Sequence, residues 1–437
     1  MPFVIFVSFV FVLLSAGDAA AQELRLSLAD AQARAVAASH RLAEARARAA
    51  TAEAAVAVRE AAARPIVGLG AGYTRTNHVL EFAFPGPGGR PQVVYPDVPN
   101  NYRTRLDLQW PIYSGGRTDA LERAARAESS AAAADVAAAQ ADLRLEVARA
   151  FWAVLTARAA TEVLNRSLER AQANVADVRQ RLNQGLVPPN EVASAEALES
   201  RQRMLLIETR NQGDQSSAEL ARLLGEDVLQ RIEPDADLEL EAPVAASFQG
   251  LVADARSTRE ERRALEQRIT GAEQLVVAAE GARRPSLAIT AGFDYARPNP
   301  HIFPRVDRWD HSWDAGVAAT WALWDGGRAD AEAAQARTVV DAARQRLAEF
   351  DSVVALEVRQ RLLDIDSGRA AIAAADEAVR AATEARRVVS ERYSAGVAIQ
   401  TEVLDADVVL LQAELDRTRA IAGVRFAEAR LARALGK

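Results

Sequence analysis

Two hydrophobic periods alternate along this chain of 437 residues. From residue 117 to residue 184, apolar positions recur at spacings of three and four. Leu143, Val147, Ala150, Val154, Ala157, Thr161, Leu164, Leu168, Ala171, Val175, Val178 and Leu182 make one seam of coiled-coil type. No Gly or Pro interrupts the segment, so the pattern predicts one continuous helix. At 1.5 Å per residue it would reach roughly 100 Å, a span no compact domain needs. Residues 102–113 switch to a period of two. Tyr102, Thr104, Leu106, Leu108, Trp110 and Ile112 share one face; Arg103, Arg105, Asp107 and Gln109 share the other. Three further segments alternate in the same way. Leu69, Ala71 and Tyr73 interleave with glycines in 66–76; Leu287, Ile289, Ala291, Phe293 and Tyr295 lie on one face of 286–296; Trp309, Trp313, Val317, Trp321 and Leu323 on one face of 309–324.

A strand apolar on one side and charged on the other suits a membrane barrel with a wet lumen. The same period also suits a half-buried strand of a soluble sheet. Tryptophans toward the strand ends favour the membrane reading, because indoles collect at the lipid–water interface. The Pro- and Gly-rich run Phe84-Pro85-Gly86-Pro87-Gly88-Gly89 fits an exposed loop. Four strands cannot close a barrel, since known membrane barrels need at least about eight. Two copies would supply eight strands and three copies twelve; the pattern alone does not choose.

The chain is duplicated. Gly115-Gly116-Arg117 returns as Gly326-Gly327-Arg328, and Gly185, Glu191-Val192 and Leu224-Gly225 return at the same offset of 211 as Gly396, Glu402-Val403 and Leu435-Gly436. Arg64-Pro65 returns as Arg284-Pro285 at an offset of 220, so a loop of variable length lies between Pro65 and Gly115. The first repeat is expected over 22–225: a helix over Leu28 to Ala63, the strands 66–76 and 102–113, a long helix 117–184 and a return helix 190–224. The second is expected over 247–437: a helix over Phe248 to Ala282, the strands 286–296 and 309–324, a long helix 328–395 and a return helix 401–435. The link 226–246 carries Pro234 and Pro243 and breaks the helical pattern. The second seam is less regular, with Arg361 and Arg386 on seam positions.

Composition narrows the function. A net charge of −7 gives no support to nucleic-acid binding. Absence of cysteine removes disulfides, thiolate metal sites, a thiol nucleophile and a lipidated N-terminal cysteine. The four histidines, His40, His78, His301 and His311, are scattered, so neither a metal centre nor a catalytic base is expected; no cofactor is implied. Phe3 to Leu14 is apolar, and Ala19-Ala20-Ala21 offers a cleavage site, which together predict an export signal over 1–21, although no Lys or Arg precedes it. The apolar run is too short to span a bilayer.

The order Arg-Pro, alternating strand, Pro111-Ile112-Tyr113-Ser114-Gly115-Gly116-Arg117, long helix, Gln184-Gly185-Leu186-Val187, helix, all of it duplicated, resembles the TolC-like outer-membrane efflux proteins. Tyr393-Ser394-Ala395-Gly396 with Glu402-Val403-Leu404-Asp405-Ala406 is the most specific segment, and the likeness covers nearly all of 22–437. The resemblance implies an α+β membrane protein. Long antiparallel coiled-coil helices would form a trimeric α-helical barrel, and four strands per chain would join a shared 12-stranded β-barrel. It implies a homotrimer in the outer membrane of a Gram-negative bacterium, docked to a periplasmic adaptor and an inner-membrane pump and in contact with outer-membrane lipid. Such a duct conducts drugs, toxic compounds or metal ions passively and is no enzyme. Export of polypeptides in a type I secretion system is the alternative within the fold; a periplasmic coiled-coil scaffold is the alternative outside it. A periplasmic adaptor would show one helical hairpin between split β-domains, not two at a fixed offset.

The resemblance also implies a periplasmic gate at the turns around Gly185 and Gly396. Glu402 and Asp405 stand where related ducts place constricting carboxylate rings, with Asp407 a weaker candidate. The other reading of these acids is that they complement a helix N-terminus capped by Thr401. Tyr393 and Glu191 match the latch pair of the pattern, and Asn190 is adjacent, either as a bonding partner or as a helix cap. Ala398 replaces the expected latch arginine, which leaves Arg181 or Arg392 for that role. Arg117 and Arg328 are read as strand-to-helix corners.

Overall fold

The computed structural model describes residues 24–89, 91–238 and 247–437. The expected export signal and the end of the link, 239–246, lie outside the described residues. The chain divides into two compact units. One holds Met1–Ala43, Ala139–Thr258 and Val354–Lys437; the other holds Glu44–Ala138 and Arg259–Val353. The elements run β1 (Leu24–Leu26), α1 (Leu28–Ala38), α2 (His40–Ala61), β2 (Ile66–Arg75), β3 (Phe82–Pro85), β4 (Pro91–Tyr95), β5 (Asn100–Tyr113), α3 (Arg117–Asn183), α4 (Pro189–Leu224), β6 (Ile232–Pro234), α5 (Phe248–Thr258), α6 (Glu260–Gly281), β7 (Ser286–Arg297), β8 (Asp310–Thr320), α7 (Arg328–Ser394) and α8 (Gln400–Ala434). Among the described residues no helix is long and apolar enough to cross a membrane.

In the helical unit, the seam of α3 is the core. Val147 and Val178 are fully buried, and Phe151, Leu220 and Ala221 close around the same stripe. Charged residues at the margins are paired: Arg433 reaches Asp142 at 2.7 Å, and Arg425 lies over the ring of Trp152. The short strands β1 and β6 pair in parallel beside this core, with Leu26 and Ile232 buried in it.

The first helix of each repeat departs from expectation. Each is two helices, not one. The break falls at Ser39 (φ −67°, ψ 115°) and, in the second copy, at Arg259 (φ −70°, ψ 119°). The physical reason lies in the glycine that ends each return helix. Gly225 is left-handed, and a Cβ there would lie 2.6 Å from the Cβ of Ala38; Gly436 is also left-handed, and its Cβ would lie 2.9 Å from the carbonyl oxygen of Thr258. The end of α4 thus packs on the residue preceding one break, and the end of α8 on the residue preceding the other. Periodicity cannot register this, because it is a contact between segments far apart in the chain.

In the other unit the strand order is β2-β5-β7-β8, antiparallel throughout. Register places Leu69 beside Leu106, Leu106 beside Phe293, and Phe293 beside Trp313. That face is uncovered: Leu69 is 74% exposed, Trp313 76% and Val317 68%. The opposite face carries Gly70, Arg105, Asp294 and Ser312 in one row across the four strands. The fourth strand is shorter than expected, ending at Thr320; the Trp321 indole beyond it donates to the Arg283 carbonyl at 2.9 Å. At the corners into α3 and α7, paired left-handed glycines turn the chain, and Ser114 and Asp325 occupy equivalent capping positions. The hydrogen bond from the Ala329 N–H favours the charged carboxylate and holds Asp325 below its ordinary value.

Gly225→Ala must place a Cβ in left-handed backbone against Ala38, and should lower folding stability by about 2 kcal/mol. Gly423→Ala, in a helix with nothing within 4 Å of the new Cβ, should be neutral or stabilise by up to about 1 kcal/mol. Denaturant midpoints of the two variants check the contrast.

Candidate functional site

The two helical turns are built alike. Gly185 (φ +74°) and Gly396 (φ +76°) supply the left-handed residue at the end of α3 and of α7. Leu186 N–H donates to the Arg181 carbonyl, and Val397 N–H to the Arg392 carbonyl, at 2.9 Å each. These six-to-one bonds close the last helical turn and free the chain to reverse. Leu186, Val397 and Ile399 are left about two-thirds exposed at the tips.

Tyr393 feels the charge of Glu191, but no hydrogen bond joins the two. Tyr393 is only 8% exposed, and its hydroxyl and one Glu191 carboxylate oxygen are both buried with no hydrogen-bond partner. The Arg181 guanidinium lies 4.6 Å from the Tyr393 ring centroid and pairs with Asp177 at 2.9 Å. Burial is the main force pushing the Tyr393 phenol up from its ordinary value; Glu191 and Asp177 add to it, and Arg181 opposes it.

Glu402 is engaged on both sides. One oxygen accepts from Arg392 at 3.3 Å, and the other from the Ile399 N–H at 3.4 Å. Arg392 also donates to the Val397 carbonyl at 3.2 Å. Arg392 therefore ties the turn to the start of α8, within a single hairpin. The cap of α8 is Ile399, not Thr401, and Glu402 serves the helix start from the third position. Asp405 is exposed and makes no hydrogen bond or ion pair among the described residues. Asp407 is buried and paired with Arg386 at 3.0 Å. Asn190 does not cap α4. Pro188 holds that position, and the Asn190 side chain is exposed.

Two contacts at this end escaped sequence reasoning. The buried Gln400 amide donates to Asn174 at 3.1 Å, and Arg386 finds Asp407. A signal for the second existed. Arg386 interrupts an apolar seam, and a charge in a seam demands a buried counter-charge. No comparable signal marks Gln400.

The polar face of the sheet forms a second cluster. Arg103 donates to Asp294 at 2.5 Å, and Arg105 forks to Asp107, Asp294 and Asp314. Gly292 makes this possible, since a Cβ there would collide with the Arg105 guanidinium. Asp294 is fully buried beneath the two arginines. His301 Nδ1 lies 3.6 Å from Asp294, so one of the scattered histidines does join carboxylates. The ligand atoms of Asp294, His301 and Asp314 lie within 4.8 Å of one another. Arg105 already bridges both carboxylates and supplies the positive charge that a cation would bring. The donor set suits an ion-pair network better than a metal.

The family model described as "Outer membrane efflux protein" matches residues 32–226 and 251–437. Two relatives, from two strains of Pseudomonas putida, are each 30% identical over 242 residues. They are the probable efflux pump outer membrane protein SepC and the toluene efflux pump outer membrane protein TtgF. Each match covers 54% of this chain and 47% of the relative, so it spans about half the relative's length. Among solved structures, the outer membrane protein VceC of Vibrio cholerae is similar with a TM-score of 0.76 at 21% identity, covering 94% of this chain and 96% of that one.

The raised Tyr393 value yields a test. Its contribution is fully present below the ordinary tyrosine value of about 10 and is lost as pH rises through the higher folded value. An ultraviolet titration should show a tyrosine ionising late, and Tyr393→Phe should remove that step.

Proposed function

This chain belongs to the outer membrane efflux protein family, and from that premise we propose that it is the exit duct of a tripartite efflux system. It is an outer-membrane protein that extends into the periplasm. The single observation that carries the reading is the open sheet. One face of four strands is apolar and bare, the other is charged and ion-paired, and the edges β2 and β8 have no partner strand among the described residues. In lipid such edges must be paired. Three copies provide twelve strands and a closed barrel, with the bare face to lipid and the Arg103, Arg105 and Asp294 face to water.

The duct is passive. Transport energy comes from an inner-membrane pump, joined through a periplasmic adaptor, and the exposed Leu186, Val397 and Ile399 offer the adaptor an apolar footing. The cargo class is small solutes: drugs, toxic compounds or metal ions. The names of the efflux-pump relatives support this choice over protein secretion.

The gate belongs to the turns, and its two acids take different parts in this reading. Asp405 is the carboxylate available to form a ring around the axis. Glu402 is balanced by Arg392 and enters the ring when that pair opens. A ring of carboxylates selects cations.

Single-channel recording in planar bilayers, with mass measured in detergent, tests this. The wild type should be a trimer with small, cation-preferring conductance. Asp405→Ala should reduce the cation preference several-fold, and Glu402→Ala should reduce it less. Arg392→Ala, which releases Glu402, should increase it. A monomer that does not insert would sink the duct; a conducting trimer indifferent to all three substitutions would remove the carboxylate ring and leave the duct.

A further inference from the structure

The two loops at the far ends of the strands from the glycine corners are tied by hydrogen bonds but expose large apolar side chains. The first, between β2 and β5, contains the β3–β4 hairpin. His78 bonds Asp97 at 2.7 Å, and the other Asp97 oxygen accepts from the Val79 N–H at 3.1 Å. The second joins β7 to β8. Its Arg305 donates to the Tyr95 hydroxyl at 3.1 Å and to Asn101 at 2.9 Å. The Asn299 amide donates to the Asp310 carbonyl and to Ser312, at 3.0 Å each. Their polar groups are thus used to fix the backbone. Their apolar groups are left over. Leu80 is 96% exposed, Phe82 56%, Phe84 54% and Phe303 75%. Phe82 and Phe84 already meet edge to face, with ring centroids 4.9 Å apart.

An apolar surface this concentrated, held on an ordered scaffold, marks a contact. Strand order says with what. The hairpin follows β2, one open edge of the sheet; the β7–β8 loop leads into β8, the other open edge. Within a chain β5 and β7 separate these edges, about 14 Å at the usual strand spacing, and Arg305 already ties one side of the hairpin to its own β7–β8 loop. When edge strands of neighbouring copies pair, the other side of the hairpin comes to stand beside the β7–β8 loop of the next copy. We propose that Phe82 and Phe84 of each copy pack on the Phe303 loop of the adjacent copy, a clasp across each seam of the barrel mouth. It rests on the oligomeric barrel proposed above and adds an interface beyond the strand pairing.

The chain contains no cysteine, so a Phe84→Cys/Phe303→Cys variant introduces the only two thiols. Treatment with a short bis-maleimide should give covalent dimers and trimers on denaturing gels, at several-fold the yield of either single variant. Phe82→Ser/Phe84→Ser should make trimers dissociate at lower temperature, with single-channel conductance unchanged. A trimeric mass without inter-copy cross-links, or cross-linking only within one chain, would overturn the clasp and spare the barrel. A monomeric mass would overturn the barrel itself and the clasp with it. Thiols shielded only when lipopolysaccharide is added, with no cross-link, would assign the apolar surface to lipid instead.

Discussion

A backbone amide in hydrocarbon has no water to bond, and the rest of this molecule is arranged around that constraint. The sheet offers two edges, β2 and β8, that find no partner strand among the described residues. Its bare apolar face and its ion-paired face make sense together only where one side meets lipid and the other water. Family membership supplies the same setting independently, and the loops flanking the two edges carry apolar side chains suited to reinforcing the joint.

The helical unit meets a different demand: thin, long helices must pack without bulky cores. Small residues and a narrow seam serve this on α3, where Val147, Val178 and Leu164 are buried. Glycine appears where helices end against one another, as at Gly225 on Ala38 and Gly436 on Thr258. Toward the turns the packing becomes polar. Gln202 is buried with neither amide atom paired, and Tyr393 and Glu191 are close to the same condition. Each unpaired buried polar group costs about 1–3 kcal/mol. Such packing has less to lose on rearrangement than a close-packed apolar core, which is the property the proposed gate would require. Arg392 and Glu402 fasten one hairpin to itself, and Gln400 fastens it to Asn174.

Much of the architecture was legible in the linear pattern. A duplicated order, the long uninterrupted helices and the four alternating strands follow from periods of 3.5 and 2 and from glycine and proline placement. These are local properties, since a side chain's face depends on its neighbours in sequence. Where reading stopped short, the cause was non-local. The breaks at Ser39 and Arg259 answer to glycine-capped helix ends some 180 residues away. Asp294 was one polar residue in an alternating strand until Arg103 and Arg105 were laid over it.

The proposed gate residues divide along the same line. Motif position alone nominated Glu402, Asp405, Tyr393 and Glu191, and left open whether the acids guard a lumen or serve a helix end. Tertiary structure decided which carboxylate is neutralised, which is bare and which is buried against Arg386. The chain's hydrophobic periods thus settled which segments become helices or strands and which face of each is apolar. Pairing between charges, edges and helix ends was decided only in three dimensions, because Coulomb attraction and hydrogen bonding depend on distances that sequence separation does not encode.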